Sequence, residues 1–343
     1  MTKSNQPSNK PLKDTYLKTF EWMLYGRLFE DKIAALYRAG KIVGGVYLGR
    51  GQEAFSAALG AQLNQSKGDV FAGLIRDQAG RMAFGEPLIE SARTYLGSVN
   101  GPMKGRDGNI HRGTPRSGMP AMISHLGSLV AVVNGMLIAK RYKGENHCVG
   151  GATIGDGGTS TGAFHEGLNQ AAVEKLPLVI AVANNQYAYS TPECHQFACE
   201  NLVDRAKGYG IAGYSIDGTD PMECVTAFDE AIKKARSGEG PQMVVGKMLR
   251  LAGHGEHDDA RYIAEADKKD HYGRDCVEVA KTQVIQNDWL NESEIADLVK
   301  RIQLEIEEAT SQAQSEPSPS PVTENWRPLA STHLIEGQNN WRE

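Results

Sequence analysis

The strongest constraint on the fold is an alternation of short apolar runs and helical segments between residues 149 and 249. This alternation predicts strands at residues 149–154, 178–183, 214–216 and 243–249, and helices at residues 162–175, 201–208 and 221–236. Strands that are joined through helices run parallel, because each helix returns the chain to the same edge of the sheet. The sequence therefore predicts an α/β fold that has a parallel sheet with helices on both faces.

Further helices and flexible ends flank this region. Apolar residues at helical spacing predict helices at residues 14–40, 52–63, 126–140, 267–287 and 293–314. We therefore expect a flexible arm at residues 1–13, one domain at residues 14–314, and a proline-rich linker and tail at residues 315–343. The segment 100–120, rich in Gly, Pro and Arg, is too long for an ordinary connection. It is predicted to be either a functional loop or disordered.

Charge and cysteine content narrow the class of function. The chain has 37 Lys and Arg against 42 Asp and Glu, a net charge of −5, and no long basic run, so nucleic-acid binding is not expected. Its five cysteines include no CxxC pair, which argues against a disulfide framework. No signal-peptide pattern and no apolar stretch of about 18 residues are present. We expect a cytoplasmic protein that acts on a small molecule, without membrane binding.

The most informative segment lies between residues 150 and 192. The motif GDGG at residues 155–158 follows a predicted strand and precedes a predicted helix, so its backbone N–H groups can face a pyrophosphate. Asp156 would repel a phosphate unless a divalent cation such as Mg²⁺ lies between them. Asn184 and Asn185 end the next predicted strand, and such ends meet at one edge of the sheet. Either motif alone is more simply a tight turn or a loop, and the GxGxxG spacing of a dinucleotide site is absent.

The spacing of GDG and NN, about thirty residues apart on a strand, turn, helix and strand, resembles the thiamine diphosphate signature. Residues 15–275 resemble the alpha subunit of the thiamine diphosphate-dependent dehydrogenase component of 2-oxo acid dehydrogenase complexes. The other matching pieces are GQEA at 51–54, IRD at 75–77, GRDGNIH at 105–111, DRA at 204–206, YG at 209–210, DG at 217–218 and RLAGHGEHDD at 250–259.

This resemblance implies a thiamine diphosphate-binding fold and a metal site. It assigns the side chains of Asp156 and Asn185, with the backbone carbonyl of Tyr187, as ligands of Mg²⁺. Gly157 and Gly158 would offer their N–H groups to the phosphates of thiamine diphosphate.

The same resemblance implies roles for residues outside this segment. Arg76 would bind the diphosphate, which suits its forked cationic side chain. Ser124 would contact the aminopyrimidine through its backbone, and Leu126 would support the bent cofactor from below. His254 would lie near the thiazolium and transfer a proton or orient the reacting groups, and it is the candidate catalytic residue. The run of His, Glu and Asp at residues 254–259 also permits a metal cluster as a less favoured interpretation.

Four positions depart from the family pattern. Ile75 stands where many relatives have a tyrosine, Ala183 replaces an acidic or amide residue, and Thr219 replaces a frequent asparagine. Gly255 stands where animal relatives have a phosphorylated serine, which excludes phosphorylation at this position. None of these changes removes an expected metal ligand.

The resemblance also implies partners. In two-chain members of the family, the glutamate that activates the aminopyrimidine lies on a beta subunit, and no second thiamine-type domain follows residue 250. We therefore expect an alpha2beta2 heterotetramer that passes an acyl group to a lipoyl-bearing acyltransferase. Pyruvate is the favoured small 2-oxo acid substrate, followed by branched-chain 2-oxo acids and then acetoin. A transketolase-like enzyme, a nucleotide-binding oxidoreductase and a non-catalytic assembly subunit are less favoured alternatives.

Overall fold

The computed structural model describes residues 10–109 and 111–324. Its described strands are β1 (Val70–Ala72), β2 (Gly150–Gly155), β3 (Leu178–Asn184), β4 (Tyr187–Ala188), β5 (Thr191–Pro192), β6 (Ala212–Asp217) and β7 (Gln242–Lys247). Five of them form one sheet in the order β1-β2-β3-β7-β6, in which every neighbouring pair is parallel. β4 and β5 form a separate antiparallel pair. The predicted α/β fold with a parallel sheet is confirmed.

Eleven α-helices lie within the described residues. They are α1 (Lys10–Arg38), α2 (Glu53–Gln62), α3 (Gln78–Phe84), α4 (Leu88–Tyr95), α5 (Ser128–Tyr142), α6 (Gly162–Val173), α7 (Arg205–Gly208), α8 (Pro221–Arg236), α9 (Glu265–Lys269), α10 (Cys276–Gln286) and α11 (Glu292–Ser315). None of these helices is long and apolar enough to cross a membrane.

Helices cover both faces of the sheet, as β3 shows most clearly. All seven residues of β3 are buried, as expected for a central parallel strand. Its side chains alternate between the two faces. Val179 and Ala181 belong to a core that includes α1, α2 and α8, whereas Ile180 and Val182 belong to a second core with α5 and α6.

The N-terminal helix is longer than predicted. α1 begins at Lys10, so residues 10–13 of the predicted arm are helical and Asp14 lies inside the helix instead of capping it. The helix ends at Arg38, and Gly40 adopts a φ of 69°, which agrees with its predicted role as a stop. Residues 1–9 of the predicted arm lie outside the described residues.

The predicted helix at residues 267–287 is wrong, because the chain divides it. α9 ends before Asp270, whose ψ of 165° is extended. α10 then starts after Asp275, which accepts the N–H of Val277 at 2.9 Å. A similar difference affects residues 201–208, where a 3₁₀ turn at Leu202–Asp204 precedes the single turn of α7.

Five of the described strands and α-helices have no counterpart among the predicted ones: β1, β4, β5, α3 and α4. β1 consists of three completely buried residues, and a run of this length has no detectable period. It nevertheless pairs with β2 and forms one edge of the sheet.

The glycine-rich segment 100–120 and the proline-rich segment after α11 pack in the same region. Turns and a short 3₁₀ segment at Pro115–Ser117 occupy the first of these. In the second, the Glu316 carboxylate lies 2.7 Å from Nη2 of Arg93, and the carbonyl of Pro317 accepts the N–H of Val99 at 3.0 Å. The start of the predicted linker is therefore bound to the body of the protein, while residues 325–343 lie outside the described part.

Candidate active site

A cavity of about 400 Å³ lies beyond the carboxyl ends of β1, β2 and β3. The predicted site residues that line it are Arg76, Leu126, Asp156, Gly157, Gly158, Asn185, Tyr187 and His254. Ser124 is the one predicted site residue that does not line this cavity. The position agrees with the rule that ligands bind outside the carboxyl ends of parallel strands.

The turn after β2 brings backbone close to the cavity. Residues Gly157–Ser160 form a 3₁₀ turn, and α6 begins only after Thr161, whose side chain accepts the N–H of Phe164. A Cβ atom on Gly157 would lie 2.4 Å from Cβ of Ala188, and one on Gly158 would lie 2.8 Å from Cγ1 of Ile154. Only glycine therefore fits at these two positions. Without side chains, the backbone of the turn can approach a ligand closely.

Asp156 is a buried carboxylate without a cationic partner in the described structure. Only 2% of the residue is exposed, and no described Lys, Arg or His forms an ion pair with it. Its Oδ2 atom accepts a hydrogen bond of 2.8 Å from Nε2 of Gln196. Burial raises the pKa of Asp156 to about 6, although the Gln196 amide and the N–H of Gly157 oppose this shift. Among the described residues, no cation lies within ion-pair distance of this carboxylate.

Asn185 and Tyr187 follow β3 and bring oxygen atoms to the same cavity. Nδ2 of Asn185 donates to Oε1 of Gln52 at 3.2 Å, and its Oδ1 accepts the N–H of Tyr187 at 3.4 Å. The carbonyl oxygen of Tyr187 accepts from Nη1 of Arg250 at 3.1 Å. A carbonyl oxygen has a second lone pair, so this bond leaves it able to bind a cation as well.

Two guanidinium groups, those of Arg76 and Arg250, also line the cavity. Arg76 and Arg250 are 8% and 2% exposed, and neither forms an ion pair with a described carboxylate. Nη1 of Arg76 donates to the carbonyl of Leu48 at 2.7 Å. Burial and the neighbouring Arg250 lower the pKa of Arg76 to about 10, so it stays charged at neutral pH. The charges of Glu30 and Asp77 oppose this pKa shift, but neither carboxylate forms an ion pair with Arg76.

His254 lies between these cations and two tyrosine rings. Burial, followed by the charges of Arg76 and Arg250, lowers the pKa of His254 to about 4, so the imidazole is neutral at neutral pH. Nη2 of Arg76 lies 3.3 Å from Nδ1 of His254, and an arginine can only donate. The proton of the neutral ring therefore resides on Nε2. The rings of Tyr47 and Tyr189 lie 5.3 Å and 4.4 Å from the imidazole and restrict its orientation.

The segment before α5 contains the last two predicted residues. Leu126 lines the cavity and is 44% exposed. Ser124, two residues earlier, has its Oγ atom 2.6 Å from Nε2 of His111.

Comparison with known proteins identifies the family of this chain. Residues 21–322 match the model of the family described as "Dehydrogenase E1 component". The chain belongs to this family. It is 32% identical over 310 residues to the alpha subunit of acetoin:2,6-dichlorophenolindophenol oxidoreductase from Cupriavidus necator, which covers 90% of this chain and 92% of that protein. It is also 32% identical over 308 residues to the pyruvate dehydrogenase E1 component subunit alpha of Rhizobium meliloti, with 90% and 88% covered. The acetoin oxidoreductase alpha subunit of Bacillus subtilis is 31% identical over 301 residues.

The cavity of this E1 chain fits a magnesium diphosphate group. A buried carboxylate without a cation and two buried guanidinium groups without an anion line one space, and a metal-bound diphosphate would neutralise both. No group of three or more His, Cys, Asp or Glu that could hold a metal occurs within residues 10–109 and 111–324. This finding does not support the alternative metal cluster at residues 254–259. A cation beside Asp156 would instead need amide, carbonyl and phosphate oxygens.

Several residues that line the cavity of this E1 chain had not been identified as site residues, among them Gln52, Asp77, Tyr189 and Arg250. Gln52 and Arg250 bond to the segment after β3, and Asp77 and Tyr189 line the cavity. Arg250 lies in the RLAGHGEHDD motif, so this motif could have identified Arg250 as a candidate site residue. The φ of 55° at Tyr189 is unusual for a residue with a side chain and has no sequence signal.

Proposed function

We propose that this chain is the alpha subunit of a 2-oxo acid dehydrogenase that uses thiamine diphosphate and Mg²⁺, with pyruvate as the favoured substrate. The observation that most supports the proposal is the charge pattern of the cavity. In a chain of the dehydrogenase E1 family, an unpaired buried carboxylate lies in the same cavity as two unpaired buried guanidinium groups.

The residues after β2 and β3 would hold the metal and the diphosphate. Asp156, the side-chain oxygen of Asn185 and the carbonyl of Tyr187 would bind Mg²⁺, for which such hard oxygen ligands are suitable. Gly157 and Gly158 would donate backbone N–H groups to phosphate oxygens, since no side chain stands in the way.

Arg76 would bind the anion, and His254 would act on protons. Arg76 donates to the carbonyls of Leu48 and His254 and would bind the diphosphate through its other N–H groups. His254, neutral and protonated on Nε2, would donate a hydrogen bond to a developing oxyanion or carboxylate near the reacting carbon. Bound thiamine diphosphate would supply the nucleophilic carbon and the electron sink for decarboxylation.

A beta subunit would complete the site. Asp77 and Asp156 are the acidic residues among those described as lining the cavity. Asp77 is occupied, because it accepts the N–H of Leu74 at 2.7 Å and the hydroxyl of Thr153 at 2.5 Å. The glutamate that the aminopyrimidine needs would therefore come from a second chain. The names of the relatives, which are alpha subunits, support this arrangement. The complete enzyme would be an alpha2beta2 heterotetramer, located in the cytoplasm, that transfers the acyl group to a lipoyl-bearing acyltransferase.

Acetoin is the second candidate substrate. Two of the relatives at 31% and 32% identity are acetoin oxidoreductase alpha subunits, as similar to this chain as the pyruvate dehydrogenase subunit is. The GQEA motif at residues 51–54 favours pyruvate, and no named relative above supports a branched-chain 2-oxo acid.

The test is an assay of this chain co-expressed with its beta subunit. Reduction of an artificial electron acceptor would be measured with pyruvate, acetoin, 3-methyl-2-oxobutanoate or 2-oxoglutarate, with Mg²⁺ and thiamine diphosphate present or omitted. We expect turnover that needs both additions and has the highest kcat/KM for pyruvate. Turnover with acetoin alone would favour the second candidate. An inactive complex that nevertheless binds the cofactor would indicate a non-catalytic subunit.

A further inference from the structure

Three side chains beside the cavity form a continuous hydrogen-bonded chain. Oδ2 of Asp107 lies 2.9 Å from Nδ1 of His111, and Nε2 of His111 lies 2.6 Å from Oγ of Ser124. The other carboxylate oxygen of Asp107 accepts the N–H of Asn109 at 2.7 Å, which fixes the orientation of the carboxylate. We refer to Asp107, His111 and Ser124 as the Ser–His–Asp chain.

The direction of the hydrogen bonds in this chain follows from its chemistry. An ionised Asp107 can only accept, so Nδ1 of His111 donates to it. In the neutral imidazole, Nε2 then accepts, and the hydroxyl proton of Ser124 is directed toward it. This leaves the lone pairs of the Ser124 oxygen available to accept a hydrogen bond from a ligand.

Rigid structure holds the histidine end of the chain. The next residue, Arg112, is 1% exposed, and its Nη2 and Nε atoms lie 2.7 Å and 2.9 Å from the carboxylate of Glu86. Its carbonyl also accepts from Nη2 of Arg81 at 2.9 Å. The backbone at His111 is therefore fixed by the core and not by solvent-exposed contacts.

The serine end leads directly into the cavity wall. Leu126 lines the cavity, and its carbonyl accepts from Oγ1 of Thr161 at 3.2 Å. Gly127 has a φ of 87°, and a Cβ there would lie 2.5 Å from Oγ1 of Thr161. The segment from Ser124 to Gly127 is thus held at both ends, by His111 on one side and by α6 on the other.

We propose that Asp107 and His111 are positioning residues, which act through Ser124 to hold the Ser124–Leu126 segment for the pyrimidine half of thiamine diphosphate. This inference rests on the proposed function, because it assumes that the cavity binds this cofactor. Under the proposed function, the diphosphate half would lie with a different set of residues, around Asp156 and Arg76, so pyrophosphate binding reports on those residues alone.

The role of Asp107 and His111 in binding the pyrimidine half can be tested by comparing two ligands. The protein used is the assembly of this chain and its beta subunit. Dissociation constants for thiamine diphosphate and for inorganic pyrophosphate, each with Mg²⁺, would be measured by calorimetry for the wild type, Asp107→Asn, Ser124→Ala and the double variant. We expect each single variant to bind thiamine diphosphate about fivefold more weakly, the effect of one lost hydrogen bond, and pyrophosphate with unchanged affinity. In the Ser124→Ala background, Asp107→Asn should have less than about a twofold effect, because its partner is already absent.

Matched controls are available on the same chain. Ser117→Ala changes an exposed serine of the same loop, and Asp229→Asn changes an exposed aspartate of α8 that pairs with Lys233. Neither should alter the affinity for either ligand.

The outcomes separate this inference from the proposed function. Thiamine diphosphate bound tightly by the wild type and equally by Asp107→Asn would overturn the inference alone. Equal weakening of both ligands, or additive effects in the double variant, would also overturn it, because such effects indicate a general structural defect. A wild-type assembly that binds neither ligand would overturn the proposed function and this inference with it.

Discussion

At the scale of single residues, the electrostatics of the cavity depend on charged groups that are buried without an oppositely charged partner among the described residues. Asp156 is a carboxylate whose burial opposes its ionisation, whereas Arg76 and Arg250 are cations that burial does not neutralise. A protein retains such unfavourable burial where a ligand later compensates for it. A ligand that has both a positive and a negative component would compensate for both kinds of buried charge.

Asp156→Asn should stabilise the ligand-free protein and abolish its metal-dependent binding. The pKa of Asp156 is raised in the folded state, so its ionisation costs stability above about pH 6, and this cost disappears below the usual value of 3.8. We expect the variant to gain about 2 to 3 kcal/mol at pH 7 without Mg²⁺. Urea unfolding at pH 7 and pH 4 would measure the gain, which should fall to less than about 1 kcal/mol at pH 4. A loss of stability at pH 7 would contradict this explanation.

Glu86→Gln should destabilise the protein, because Glu86 forms ion pairs with buried arginines. Burial alone would raise the pKa of Glu86, but the buried guanidinium groups of Arg112 and Arg81 hold it well below its usual value of 4.5. The variant would leave two buried cations without a counter-charge, at a cost of about 3 to 5 kcal/mol. The loss of stability in the variant should have its full size above pH 4.5, the usual pKa of a glutamate. It should shrink as the pH falls below this value, because Glu86 of the unfolded wild type then becomes protonated. Chemical unfolding of both proteins between pH 7 and pH 3 would measure it, with Glu145→Gln, which removes only a surface ion pair with Lys140, as the control.

At the scale of elements, the segment after α11 packs against the glycine-rich loop at residues 100–120 and supports it. Glu316 binds Arg93 through Nε at 3.0 Å and Nη2 at 2.7 Å, and it also accepts from the hydroxyl of Ser98. A Cβ on Gly105 would lie 2.5 Å from Cδ of Pro319, so the segment packs closely on the loop. The loop that contains Asp107 and His111 is therefore supported by residues more than two hundred positions later.

Deletion of residues 316–343 should loosen this loop. The N–H of Val99 donates to the carbonyl of Pro317 at 3.0 Å. Because the deletion removes this hydrogen bond, the amide of Val99 should exchange with solvent faster. Hydrogen exchange read by mass spectrometry would show this in peptides that cover residues 97–109. Deletion of residues 325–343 alone is the control and should leave the exchange of Val99 unchanged. Equal protection in both deletions would show that the loop does not depend on the segment.

At the scale of the whole molecule, ligand binding and stability are linked. A ligand that binds only the folded state stabilises it by about 2.7 kcal/mol at a concentration of 100 times its dissociation constant. Thiamine diphosphate with Mg²⁺ should therefore raise the Tm of the assembly with the beta subunit. Addition of EDTA should remove most of this increase, because Asp156 then repels the diphosphate. A Tm that rises equally with and without EDTA would contradict a metal-bridged site.

Much of the fold follows from local patterns, and these could be predicted. The apolar runs that became β2, β3 and β7 are buried in the core, and the helix predicted at residues 221–236 is α8 with the same bounds. β1 was missed because three residues contain too little periodicity. The break between α9 and α10 was missed because the capping role of Asp275 competes with a helical pattern on both sides.

The sequence by itself determined the fold class and the centre of the candidate site. GDGG and NN each follow a strand, and parallel strands bring such ends together whatever the rest of the chain does. Only the tertiary structure decided which distant side chains join them. Gln52, Gln196 and Arg250 reach the site through packing between elements, and so does the contact between His111 and Ser124. The physical reason is that periodicity records which face of an element is buried, whereas the partner of a buried polar group depends on contacts between elements far apart in sequence.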